Sequence, residues 1–207
     1  MDSPLALYVL ASLALIATPG QDMLYVISRS LAQGRLAGVC SAVGVCTGIL
    51  VHTALAALGA GAILQASEAW FLALKLAGAA YLVYLGIRLV LAREAVLEAA
   101  SAQPLAPLAL VWQGVLSNVT NPKIVLFFFA FLPQFVSPAS GHPTRDLVFL
   151  GVLYALLALP VKVGVGLAAG SLSERVLRRP GALLWLNRAS GSVLIVLELR
   201  LAATERH

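Results

Sequence analysis

Two short polar stretches interrupt otherwise apolar runs, and both carry side chains able to hold a charged solute: Ala17-Thr18-Pro19-Gly20-Gln21-Asp22 and Asn118-Val119-Thr120-Asn121-Pro122-Lys123. A proline ends the local hydrogen-bond ladder, and inside lipid the freed backbone groups must be met by protein, trapped water or a ligand. In the first stretch Thr18 is expected as a helix N-cap, with Pro19 at the first helical position and Gln21 completing a capping box. Asn121 and Pro122 offer the same device in the second. Each break would then present free N–H groups and the positive end of a half-helix dipole, which suits a carboxylate. Asp22 and Lys123 follow directly, and charges at membrane depth are costly unless paired or facing water. They are expected to pair with each other in the empty site. A zwitterion would exchange into that pair, its carboxylate on Lys123 and a half-helix N-terminus, its ammonium on Asp22 and the carbonyls near Ala17 and Thr18. The candidate substrate-binding set is therefore Thr18, Pro19, Gly20, Gln21, Asp22, Asn118, Asn121, Pro122 and Lys123. The bland alternative is two proline kinks healed by neighbouring helices, with a structural ion pair. Two breaks at equivalent places, each with polar neighbours, favour a site.

Asp22 and His52 are the candidates for proton coupling. A carboxylate beside the break can take up a proton as the site opens, and imidazole is the side chain whose charge changes near neutral pH. A histidine simply hydrogen-bonded to a neighbouring helix is the competing view of His52. Lys75 and Arg188 stand near segment ends, where they can snorkel to the interface, and Glu198 is near the end of the last segment. Lys162, after Pro160, lies deeper and has no assigned role.

The elements that must position these groups are membrane spans. Of 207 residues, 60% are hydrophobic and 11% charged, with a mean hydropathy of +0.94, which no soluble domain of this size shows. Apolar segments run over 5–27, 37–64, 69–91, 108–136, 147–172 and 182–203, each able to cross a hydrocarbon core of about 30 Å. The N-terminal segment has Asp2 where a signal peptide has basic residues, and is read as a retained helix. The fold class is all-α: one polytopic membrane domain over 1–207 with six transmembrane helices. An echo between the halves supports an inverted pair of three-helix repeats, about 1–95 and 105–207, whose first and fourth helices are broken. Carriers of that architecture bind substrate where broken helices meet near the midplane. The echo also relates Lys75-Leu76-Ala77-Gly78-Ala79 to Arg188-Ala189-Ser190-Gly191-Ser192. Glycines at 34, 38, 44, 48, 59 and 61, and at 151, 164, 166 and 170, mark expected close helix contacts.

The net charge of +5 is scattered between hydrophobic segments and forms no nucleic-acid patch. Arg29, Arg35, Arg88, Arg93, Arg175, Arg178 and Arg179 follow the odd-numbered segments, so those loops are read as cytoplasmic and both termini as outside. Cys40 and Cys46 would sit about 9 Å apart along one helix on different faces, unable to bridge. His52, His142 and His207 have no metal-ligand spacing, and no cofactor is expected.

Thr18-Pro19-Gly20, His52, Lys75-Leu76-Ala77-Gly78-Ala79-Ala80-Tyr81-Leu82-Val83-Tyr84-Leu85-Gly86, Gln113-Gly114, Asn118-Val119-Thr120-Asn121-Pro122-Lys123 and Phe131-Leu132-Pro133-Gln134-Phe135-Val136 together resemble the lysine exporter and threonine/homoserine exporter (LysE/RhtB) family, along essentially the whole chain. The resemblance implies a multi-pass inner-membrane carrier that expels amino acids or their derivatives, threonine-, homoserine- or lysine-like, driven by the proton gradient. Its partners would be the amino acid, protons and the lipid bilayer, with a homodimer allowed for and no nucleic acid. The family commonly has Pro-Gly-Pro followed by Asp or Asn, and here Gln21 stands at the second proline; Lys162 matches none of its motifs. Metal-ion or other small-solute export is the alternative, although Asp22 and His52 alone supply ligands at depth. A thiol-redox protein with inverted halves would need a cysteine in each half, and both lie in the first. An intramembrane hydrolase would need a paired nucleophile and base, and none is spaced for it.

Overall fold

The computed structural model describes residues 4–66, 104–136 and 141–171, with positions 73, 76, 80, 83, 84, 86–88, 90, 91, 188, 192, 195 and 196. Every element among them is helical. Two helices, α1 (Pro4–Ala17) and α2 (Gln21–Gln33), meet at a bend of 47° and together are long and apolar enough to count as one candidate span. A turn at Gly34 leads into α3 (Arg35–Ala66), which has 32 residues. The second bent pair, a candidate span by the same measure, is α4 (Pro107–Val119) and α5 (Pro122–Leu126), continued by a π turn (Phe127–Phe131) and a 3-10 turn (Leu132–Phe135), with a bend of 55°. The last long helix is α6 (Pro143–Ser171). By length and hydropathy α3 and α6 can each cross a membrane, and the two bent pairs bring the candidate spans to four. The expected spans over 69–91 and 182–203, and the echo between Lys75 and Arg188, lie outside the described residues apart from isolated helical positions. Both breaks fall where proline and polar residues interrupt the apolar runs.

The first span outruns its apolar stretch by six residues, to Gln33. Polar side chains past Ile27 find partners on α4 and just before it: Arg29 donates to Gln113 Oε1 at 2.9 Å and Gln33 Nε2 to the Leu105 carbonyl at 3.1 Å. Gly34 ends the helix with φ +84°, a left-handed conformation that glycine adopts without strain, and its N–H returns to the Ser30 carbonyl.

Helices approach closely where small residues meet. The Gly38 and Gly166 backbones touch where α3 crosses α6, so that a Cβ on Gly166 would lie 3.0 Å from the Gly38 carbonyl carbon. On α3, Gly44 lies against the Val111 backbone of α4, and Gly114 of α4 against Ser41 and Val45. Gly164 departs from the expected pattern, with open space where a side chain would be, and so does Gly34, which serves a turn. Cys40 and Cys46 are free thiols.

Beside the breaks lies an aromatic core. Tyr8, Phe127, Phe128, Phe131 and Tyr154 are fully buried, with Phe127 centred 4.8 Å from Tyr154 and 4.9 Å from Phe131. Tyr8 keeps its hydroxyl satisfied by donating to the Leu150 carbonyl at 2.7 Å, which ties α1 to α6. Leu36, Leu50, Leu55 and Leu58 of α3 and Leu108, Trp112 and Leu116 of α4 are exposed, as residues facing hydrocarbon should be.

Candidate functional site

The second break has the local geometry its sequence dictates. Asn121 is extended, its Oδ1 accepts from the Lys123 N–H at 3.0 Å, and Pro122 occupies the first helical position, where a missing N–H costs nothing. Asn118, at the end of α4, is fully buried, and its carbonyl accepts from the Asn121 N–H at 2.9 Å.

The first break departs from expectation. Thr18 does not cap α2: its hydroxyl donates back to the Ala14 carbonyl at 2.8 Å, and its N–H to the same oxygen at 3.1 Å, so Thr18 completes the last turn of α1. A threonine hydroxyl has this local choice between capping forward and bonding back. Gly20 then stands at the N-cap in extended backbone, without a side chain to cap, and α2 starts at Gln21 rather than Pro19. Gln21 is exposed and forms no capping box. Among the described residues, no side chain accepts from the first N–H groups of α2.

The expected ion pair is also replaced. Lys123 does not pair with Asp22; its Nζ donates to the Leu15 and Thr18 carbonyls, both at 3.1 Å. Those oxygens belong to the last turn of α1, the negative end of that helix, where a cation is favoured. The second break therefore caps the first. Gly20 leaves room for this, since a Cβ there would sit 3.2 Å from Lys123 Nζ.

Asp22 is buried on the first turn of α2, and its charged partner is Lys162 of α6, with Nζ 3.8 Å from Oδ2. The same Oδ2 accepts from Asn118 Nδ2 at 2.7 Å. Asp22 Oδ1, Asn118 Oδ1 and Asn121 Nδ2 are buried with no hydrogen-bond partner. Such atoms are costly to strand, and three of the seven found among the described residues lie on the two breaks. Gly48 of α3 makes the arrangement sterically feasible: a Cβ there would lie 2.7 Å from Asn118 Cβ.

His52 takes the bland alternative in part. Its ring lies 5.8 Å from that of Phe128, and Nε2 is 3.2 Å from the Asn118 carbonyl. A carbonyl only accepts, so Nε2 carries the proton, leaving Nδ1 buried and unpartnered. His52 thus reaches Asp22 only through Asn118.

Of the nine proposed binding residues, Thr18, Asp22, Asn118 and Asn121 are buried at the breaks, while Gln21 and Pro122 are exposed. Lys162 is the member that sequence reasoning left out. A lysine at that depth needs a counter-charge, and Asp22 was the buried carboxylate on offer. A separate hollow of about 430 Å³ at the start of α6, lined by His142, Arg145 and Val148 among others, includes no residue of either break. Among the described residues no group of three His, Cys, Asp or Glu gathers as a metal site would.

Comparison with known proteins finds the LysE type translocator family matching residues 13–205. A homoserine/homoserine lactone efflux protein of Salmonella typhimurium is 32% identical over 200 residues, 97% of this chain and 96% of that one. An uncharacterized membrane protein of Vibrio cholerae is 31% identical over 198 residues, 96% of both chains. A leucine efflux protein of Salmonella choleraesuis is 26% identical over 157 residues, 75% of this chain and 71% of that one. No solved structure matches the chain.

Proposed function

The chain belongs to the LysE type translocator family, and on that premise we propose that it is a secondary carrier exporting amino acids or their derivatives across the inner membrane in exchange for protons. The observation that carries this reading is Asp22: a buried carboxylate at a helix break, with one oxygen held by Asn118 and the other unpartnered. Such an oxygen is ready for a substrate ammonium. Protonation of Asp22 from the outer side would remove the negative charge that holds the ammonium, so proton entry and substrate release become one event. Loss of that proton to the cytoplasm restores the site. Asn118 and Asn121 flank the substrate, and His52 holds Asn118 in place. The two half-spans and their following helices act as inverted repeats, with the termini outside.

The charges around the breaks favour a substrate with a neutral side chain. Lys162 stands beside Asp22 and Lys123 closes the adjoining end of α1, so a lysine substrate would bring a further positive charge into a region already well supplied. Homoserine- or leucine-like molecules fit better, in keeping with the names of two relatives.

The test is efflux from proteoliposomes loaded with labelled leucine, homoserine, threonine or lysine, with and without an inward proton gradient. Export of the neutral amino acids should accelerate at least about tenfold with the gradient, and lysine should lag. Rates equal to those of protein-free vesicles would rule out the carrier, and rates indifferent to the gradient would rule out proton exchange.

A further inference from the structure

Lys162 is 95% buried in the middle of α6 (5% exposed), yet its charge pairing is left open. Its Nζ lies 3.8 Å from Asp22 Oδ2, within Coulombic reach but well beyond the roughly 2.7–2.9 Å of a charge-assisted hydrogen bond. Among the described residues the ammonium has no hydrogen-bond acceptor. On the partner carboxylate and the amide that holds it, Asp22 Oδ1 and Asn118 Oδ1 are buried acceptors without donors. An ion pair serving only the fold repays its desolvation by closing to good geometry with its remaining valences met. This one has unmet donors on one side and unmet acceptors on the other.

That polarity matches the two ends of an α-amino acid. We propose that Lys162 is the residue that binds the substrate carboxylate, while the substrate ammonium goes to Asp22 Oδ1 and Asn118 Oδ1; this rests on the amino-acid carrier reading above. A zwitterion inserted between Lys162 and Asp22 turns one open pair into two closed ones and adds no net charge to a buried site. An amide of the same amino acid satisfies Asp22 equally well but leaves Lys162 facing a neutral group. Lys162 is thereby the residue that selects acids over their amides. Lys123 is the competitor for this role, and its ammonium is already committed to the Leu15 and Thr18 carbonyls at 3.1 Å.

The experiment measures binding of leucine and leucinamide to the full-length protein in nanodiscs, for the wild type, Lys162→Gln and Lys123→Gln. The wild type should bind the acid about 10- to 100-fold more tightly than the amide, the range expected for one charge-assisted contact. Lys162→Gln should bring that ratio to within about threefold of unity, and Lys123→Gln should weaken both ligands while keeping it. The wild-type ratio stands as a test even where Lys162→Gln fails to fold. A wild-type ratio near unity, or a ratio abolished by Lys123→Gln and kept by Lys162→Gln, overturns the assignment while the carrier reading stands. Absence of binding by leucine and by leucinamide, with homoserine and its amide failing likewise, overturns both.

Discussion

At the second break the chain repairs itself within a few residues, Asn121 capping the helix that Pro122 begins, whereas at the first the repair arrives from Lys123, more than a hundred residues away. The difference follows from side-chain chemistry. Asn121 carries an acceptor on a short side chain and meets a nearby N–H. At the first break Thr18 turns back to Ala14, Gly20 has no side chain, and the end of α1 is closed by a cation from another span. The self-contained break is settled by its own residues, while at the one closed from outside the local charge, Asp22, turns to partners on other helices, Asn118 and Lys162.

That contrast is broken most severely through Asp22. Asp22→Asn keeps the shape and the Asn118 contact but removes the charge, and proton-driven export should fall at least about 100-fold while the protein stays folded in detergent. The measurement is proteoliposome efflux beside thermal unfolding. Full export by Asp22→Asn would move the chemistry away from the first break.

Lys123→Met comes next and tests whether the second break holds the first. Two charge-assisted hydrogen bonds vanish and two carbonyls lose a donor, so a loss on the order of 2–3 kcal/mol is expected, read as a lower unfolding midpoint. A variant as stable as the wild type would separate the breaks. The smallest effect sharpens the difference in capping: Asn121→Ala should cost about 1 kcal/mol, as loss of an N-cap does, and Thr18→Val appreciably less, because its hydroxyl caps nothing. Equal costs in the same unfolding assay would make the two breaks chemically alike.

Legibility in the sequence followed the range of each interaction. The breaks, the long helices after them and the Asn121 cap were readable, because proline, an apolar run and an asparagine beside its own N–H act over a few residues. Glycine contacts at 38, 44, 48 and 166 were readable as small residues among large ones, though their partners were not. Asp22 is buried, but its expected partner was Lys123, the cation at the matching place in the other break, and Lys162 stands there instead. Lys162 lies 140 positions from Asp22, and only the packing of α6 against α2 brings them together. Thr18 was missed for a different reason: forward capping and back-bonding are both local, and sequence leaves them close in energy.

The clamp from Lys123 to α1 also sets a schedule. The ribosome delivers the N-terminal span first, and the lysine that closes its last turn follows 105 residues after Thr18. Throughout that interval the carbonyls of Leu15 and Thr18 need water or lipid headgroups as stand-ins. The newborn N-terminal bent pair is thus an unfinished object until the segment that carries Lys123 comes in beside it. A fragment that stops short of Lys123 should linger near the membrane surface or in the hands of the insertion machinery, and supplying the rest as a separate chain should draw it in.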